Sequence, residues 1–308
     1  MISRLHLILL FLFLTHAASA QNTPSVVVSI KPIHSIVSSL MQGVSTPQLL
    51  LESNDSAHSF HLLPSQASIL ENADLIISIS PNFESGLTSA LSNYSSSSQI
   101  IVAELNLANF YSYRDVDDSQ HKGHEDHEDH EDHEDHNEGY DYHLWLDINN
   151  IRLIAKQITQ HLIKLDAVNE STYTKNLETL DAKLLQLKKD IDLKLASIGA
   201  VNFANYSDTL QYFEKSHNLS QPIIITPFHG SRLSIHAVLK AKKRMKQQHV
   251  ECLLHTSEVT VKKTKTLTEG MSIKRNEISI LGNEFERGPE QYFNLMNNLA
   301  LQLSQCLQ

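Results

Sequence analysis

Six histidines stand at every third position of the run HKGHEDHEDHEDHEDH: His121, His124, His127, His130, His133 and His136. Eight carboxylates, from Glu125 to Asp135, alternate with them. Imidazole nitrogen suits zinc, copper and nickel, and carboxylates add oxygen ligands for the same borderline ions. The run holds no apolar residue to bury, so it cannot offset its own ordering entropy, and disorder is expected. A period of three drifts around an α-helix and lines one edge only in an extended, polyproline-type chain. A solvated acidic loop is the plainer reading of most charge runs. Acidic runs seldom set histidine at strict intervals, however, and the chemistry predicted here is metal capture.

Imidazoles elsewhere are fewer. Ala57-His58-Ser59-Phe60-His61 follows an apolar strand pattern and precedes Pro64-Ser65. A loop at the carboxyl end of a parallel strand is where α/β proteins keep ligand groups, with a lone surface histidine as the competing reading. His143 opens His143-Leu144-Trp145-Leu146-Asp147, where a histidine beside a buried Trp is more often structural. His229, His236, His249 and His255 are scattered through the last third, and spacing selects none of them. No carboxylate stands beside a histidine in the HExxH manner, and neither a Ser-His-Asp order nor a Gly-rich phosphate loop is present. Nothing recommends Asp208 or Glu84 as a general base. An open zinc site can activate water, but an enzyme is not the expectation.

The elements that must position these groups alternate between β-branched runs and helical patterns, which predicts α/β layers with parallel strands. Strands are expected at Val26–Ile30, Gln48–Leu51, Leu75–Ile79 and Ile100–Val102, with helices at Ile33–Met41, Ser65–Asn72 and Phe83–Ser92. Residues 114–140 form the charged loop, and a helix follows from about Asn150 to Leu165. Tyr173, Leu177, Leu180, Leu184, Leu187, Ile191, Leu195 and Ile198 then recur at three- and four-residue steps. They make one apolar stripe on a helix of roughly 28 residues, about 42 Å long, stopped by Gly199. A coiled-coil partner is one reading of that stripe; a backbone helix running along two lobes is the other. Beyond it come strands Asn202–Tyr206, Pro222–Thr226, Val250–Leu254 and Glu277–Leu281. Helices are expected at Thr209–Ser216, Ile235–Gln247, Lys262–Glu269 and about Glu290 to Cys306. The predicted architecture is two Rossmann-like α/β lobes, residues 21–168 and 200–308, joined by one long helix over 169–199. A ligand cleft lies between the lobes.

Residues 1–20 read as a signal peptide: Arg4, the apolar run Leu5–Leu14, then Ala18-Ser19-Ala20. The run is too short to span a membrane, so export with cleavage after Ala20 is expected, leaving a chain that begins at Gln21. No cysteine near that site could carry a lipid. In an exported chain with only Cys252 and Cys306, one disulfide is the simplest pairing, stapling the C-terminal helix to an earlier strand. The formal charge of −10 comes mostly from the repeat, and the remainder is close to balanced. No basic stripe calls for nucleic acid, and no second apolar run calls for a membrane.

The order SIKPI, AHSFHLLPS, ENADLIISIS, His/acid loop, HLWLD, long helix, YFEK and late cysteine pair resembles the zinc-uptake solute-binding proteins of ABC transporters (ZnuA type). The resemblance covers essentially the whole mature chain. It implies a periplasmic monomer that binds zinc as cargo and hands it to a membrane permease with its ATPase, and small domain closure because a helix replaces flexible linkers. Carried over by position, the first-lobe histidine ligand matches His58 and the HLWLD histidine matches His143. The third family histidine, five residues before the Tyr of the YFEK-like motif, falls on Ser207. The acid near the last strand falls on Ser279, and the acid before the first histidine on Ala57. Two imidazoles with water make a weak, open zinc site, and a neutral serine hydroxyl is a poor zinc ligand. His255, His61 and His229 are the candidates to replace the missing ligands, with His255 ranked first as a strand-end residue. A metal-buffering or metallochaperone protein that binds mainly through its His-rich loop is the alternative function.

Overall fold

The protein was analysed as a computed structural model, which describes residues 23–52, 60–114, 139–196, 198, 201–227 and 233–307. The signal-peptide assignment, His58, His229, Gly199 and the whole histidine repeat lie outside the described residues.

The first lobe is built on a parallel sheet of β1 (Val26–Val28), β2 (Gln48–Leu49), β3 (Leu75–Ser78) and β4 (Gln99–Ile101), in the order β2-β1-β3-β4. Val26, Val27, Val28, Leu75, Ile76 and Ile77 are all buried, the unbroken apolar run expected of strands covered on both faces. Its helices are α1 (Lys31–Leu40), α2 (Pro64–Glu71) and the short α3 (Thr88–Leu91). A two-stranded antiparallel ribbon, β5 (Tyr111–Ser112) with β6 (Tyr140–Asp141), flanks residues 115–138. Then come α4 (Ile148–Leu165) and α5 (Glu170–Leu195). Asp147 caps α4, its carboxylate accepting from the Asn149 N–H at 2.8 Å.

The second lobe repeats the plan with β7 (Phe203–Ser207), α6 (Gln211–Ser216), β8 (Ile223–Thr226), α7 (Ile235–Gln247), β9 (Cys252–Thr256), α8 (Val261–Thr268), β10 (Lys274–Ile278) and α9 (Gln291–Leu307). Its parallel sheet runs β10-β9-β7-β8. The stripe on α5 is covered from within: Tyr173, Leu180, Leu184, Leu187, Ile191 and Leu195 are buried, and α5 packs on α1, α4 and α9. A coiled-coil partner is therefore not what that stripe serves.

Two expectations shift. Phe83–Ser92 is not one helix but a 3-10 turn, Ser85–Leu87, followed by α3. The Glu84 carboxylate turns back to accept from the N–H groups of Ile79 (2.7 Å) and Ser80 (3.2 Å), holding the chain out of helical register. The last two strands also move: β9 ends at Thr256 and β10 begins at Lys274, paired Lys274↔Cys252 through Ile278↔Thr256. As the edge strand, β10 exposes Lys274, Arg275 and Glu277 and so lacks the apolar signature. The apolar Ile280-Leu281 lies past its end.

One hydrophobic core runs through both lobes. It joins first-sheet residues such as Val27 and Ile76 to Trp145, the α5 stripe, Phe203, Leu254 and the buried face of α9. Ser35 of α1 donates to the Pro289 carbonyl (2.9 Å) and accepts from the Tyr292 N–H (3.0 Å), while the Tyr292 hydroxyl donates to the Trp145 carbonyl (2.8 Å). Cys252 of β9 and Cys306 of α9 form the disulfide, with Cα atoms 5.7 Å apart. A second, smaller core lies between the sheet and α7 and α8. Among the described residues, no helix is long and apolar enough to cross a membrane.

Candidate metal centre

His143 lies two residues past the end of β6, before a 3-10 turn at Leu144–Leu146, and is fully buried. Its Nδ1 lies 2.7 Å from Oδ1 of Asp141, itself fully buried, and the same oxygen accepts the His143 backbone N–H at 3.0 Å. With Nδ1–H donating a hydrogen bond to Asp141, a neutral ring carries its lone pair on Nε2, the tautomer a metal ligand needs. Phe83 sets its edge against the imidazole, ring centroids 5.7 Å apart, and Trp145 lies 5.3 Å away. The Tyr212 hydroxyl donates to the Asp141 carbonyl (2.8 Å) and accepts from the Tyr111 N–H (3.1 Å), so α6 of the second lobe fixes the strand that carries the pair.

The other family positions stand on separate elements, and His58 lies outside the described residues. Phe60, two residues after His58, is buried and seats its carbonyl against Gly86, where a Cβ would stand 2.3 Å from that oxygen. Only glycine allows this approach, and Gly86 lies three residues past Phe83, which touches His143. Ser279 lies just past the end of β10, one residue before Ile280, whose carbonyl accepts from the Trp145 indole at 2.8 Å. Ser207 ends β7, and Asp208 beside it reaches Arg114.

Neither serine supplies what zinc requires. Ser207 Oγ is buried 3.3 Å from Thr226 Oγ1. Ser279 donates to Glu284 (2.8 Å) and accepts from the Gly282 N–H (3.0 Å), closing its own turn. Among the described residues, no group of three or more His, Cys, Asp or Glu side chains is arranged to hold a metal. Of the candidate substitutes, His61 is exposed just before α2. His255 is the penultimate residue of β9, 8% exposed, with Nδ1 3.1 Å from the Thr256 carbonyl. Strand alternation puts it on the face of Leu253, in the second core, whereas Ser207 shares the face of Phe203 in the main core. His255 and Ser207 thus project to opposite sides of one sheet.

Sequence reasoning passed over two features of the site. Asp141 could have been found as an acid two residues before His143. The second is a buried charge cluster at the root of the loop. Arg114 donates through Nε to Asp208 (3.0 Å), through Nη1 to Glu214 (2.7 Å), and through its backbone N–H to Asp208 Oδ2 (3.0 Å); Nη2 also bonds Asp208. Asn205 donates to the other Glu214 oxygen at 2.6 Å. One guanidinium faces two buried carboxylates, and burial pushes the Glu214 carboxyl up to about 7 against the pull of Arg114. No local pattern announces this cluster, because its partners are 94 and 100 residues apart in sequence.

Residues 26–306 match the family described as zinc-uptake complex component A, periplasmic. The chain is 30% identical over 304 residues to the high-affinity zinc uptake system protein ZnuA of Brucella abortus, covering 92% of this chain and 91% of that one. It is 23% identical over 289 residues to the protein of the same description from Yersinia pestis, with the same coverage. A crystal structure of ZnuA superposes with a TM-score of 0.75 at 17% identity, over 93% of this chain and 100% of that one. The periplasmic zinc-binding protein TroA of Treponema pallidum superposes with 0.74 at 18% identity, over 92% and 99%. These solved structures share the two-lobed fold.

Proposed function

The chain belongs to the periplasmic zinc-uptake component A family, and on that premise we propose that it binds zinc in the periplasm and delivers it to the membrane permease of an ABC transporter. Zinc is the cargo, and the ATPase that drives import is a partner rather than part of this chain. The observation that carries the reading is the Asp141–His143 pair, a buried imidazole with its tautomer set by a buried carboxylate where the two lobes meet. His58 is the companion ligand by its position in the family motif. The exported form starts at Gln21 and works as a monomer. Its lobes span residues 21–168 and 200–308 around the 169–199 helix.

Ser207 and Ser279 favour a second reading, because they remove an imidazole and an acid from the inner site. In that case the repeat His121–His136 carries most of the zinc and the protein buffers or passes on metal. A zinc titration of the full mature chain, the chain lacking residues 115–138, and each with His143→Ala separates the two. The transport reading expects one tight site to survive loop deletion and to weaken at least tenfold with His143→Ala. Loss of nearly all binding with the loop, and indifference to His143→Ala, would overturn it in favour of buffering. Zinc uptake by vesicles carrying the permease and ATPase, with and without the chain, tests delivery.

A further inference from the structure

The outer face of the second lobe has a charge character that zinc binding does not use. Residues 235–275 hold ten of the chain's 25 Lys and Arg against three Glu and no Asp, in a protein of formal charge −10. This concentration is a folded surface. Ala241 and Met245 of α7 and Leu267 of α8 enter the same small core, so both helices lie side by side on one face of the sheet. Lys242 of α7 donates to the Thr266 carbonyl of α8 at 3.2 Å, stitching the two together. At 100° per residue, the side of α7 opposite Ala241 and Met245 carries Leu239, Lys243 and Lys246, and the side of α8 opposite Leu267 carries Lys262 and Lys265. All five side chains are exposed. At the C-terminal end of α8, Lys265 and Arg275 line an open hollow of about 380 Å³.

Large apolar side chains stand among these cations. Ile235 is 82% exposed and Leu239 60%, on the first two turns of α7, and Val261 is 59% exposed at the start of α8. A merely solvated basic face has no use for them. Lysines around protruding branched side chains are what an interfacial helix presents to a lipid surface: apolar tips enter the headgroup boundary while ammonium groups meet phosphates. We propose that the α7–α8 face is a peripheral docking surface for anionic phospholipid, binding the protein reversibly to a membrane. The partner chemistry is a fluid array of phosphodiester headgroups, which Lys243, Lys246, Lys262 and Lys265 match as separate point charges.

Co-sedimentation of the full mature chain with phosphatidylcholine vesicles containing about one quarter phosphatidylglycerol tests this, with pure phosphatidylcholine as the control. Retention is expected on the anionic vesicles alone, and is expected to fall as salt is raised. Lys243→Glu with Lys246→Glu on α7, and Lys262→Glu with Lys265→Glu on α8, should each lower retention by tenfold or more, since each lysine near such a surface contributes roughly a fivefold factor. Leu239→Ser should weaken retention without altering its salt dependence. Zinc titration of every variant should match the parent, so the outcome is independent of whether the zinc reading holds. No retention on anionic vesicles, equal retention on both vesicle types, or retention unchanged by both charge reversals would overturn the proposal. Lysine-dependent binding to polyglutamate without vesicle binding would also overturn it, assigning the face to an acidic protein segment.

Discussion

Glu84 shows how one buried carboxyl can set a pH response. It sits between the end of β3 and the Phe83–Gly86 turn, and burial pushes it up to about 7, opposed by the N–H groups of Ile79 and Ser80. A carboxyl that holds its proton more tightly folded than unfolded favours the native state at low pH. Its share of stability is complete below the ordinary value of 4.5 and is lost as pH rises to about 7. That share is about 3 kcal/mol in order of magnitude. Glu84→Gln should flatten this part of the curve, so denaturant midpoints of parent and variant should converge toward pH 4.5 and separate toward pH 8. The remaining slope in the variant belongs largely to Glu214, which titrates over the same window. Parallel curves for parent and variant would mean that Glu84 is ionised throughout. At this scale the sequence was most readable where function and packing meet in one short stretch, as in His143-Leu144-Trp145. It was least readable for Glu84 and Asp141, whose roles depend on burial that no neighbouring residue reveals.

Between elements, Arg114 ties the root of the histidine-rich segment to the second lobe by binding the end of β7 and the middle of α6. Arg114→Ala would leave Asp208 and Glu214 buried with their counter-charge gone, a loss of roughly 3–5 kcal/mol. The urea midpoint should fall, and fall further at pH 8 than at pH 5, because the orphaned carboxylates are tolerated only when protonated. Arg114→Lys should recover part of the loss, since one ammonium cannot span two carboxylates as the planar fork does. An unchanged midpoint in Arg114→Ala would show that the clamp is not formed in solution. Element identity was legible wherever apolar periodicity was strong, as in α4, α5, β3 and β7. It failed at β10, an edge strand with a polar exterior, and at residues 83–92, where a side chain competes for backbone N–H groups. The proposed strand-end role of His255 depended on β9 finishing at Leu254; pairing with β10 carries the strand to Thr256 instead.

Across the whole molecule, the two sheets were legible as a repeated pattern, but their shared core was not. Two similar α/β halves suggest two separate interiors, yet α9 of the second half covers α1 and α5. The disulfide holds the far end of that helix to β9. Cys252→Ser with Cys306→Ser frees a segment with a sequence separation of 54, which should cost roughly 4 kcal/mol. Because one core serves both lobes, calorimetry should show a single transition moved to lower temperature. Two resolved transitions would argue against the continuous interior. The position of α9 also governs when the protein can assemble. Tyr292 completes contacts to Ser35 and Trp145, so α9 of the second lobe seals the interior of the first. Until α9 docks, the earlier segments lack their cover, and the first lobe cannot reach its final packing by itself.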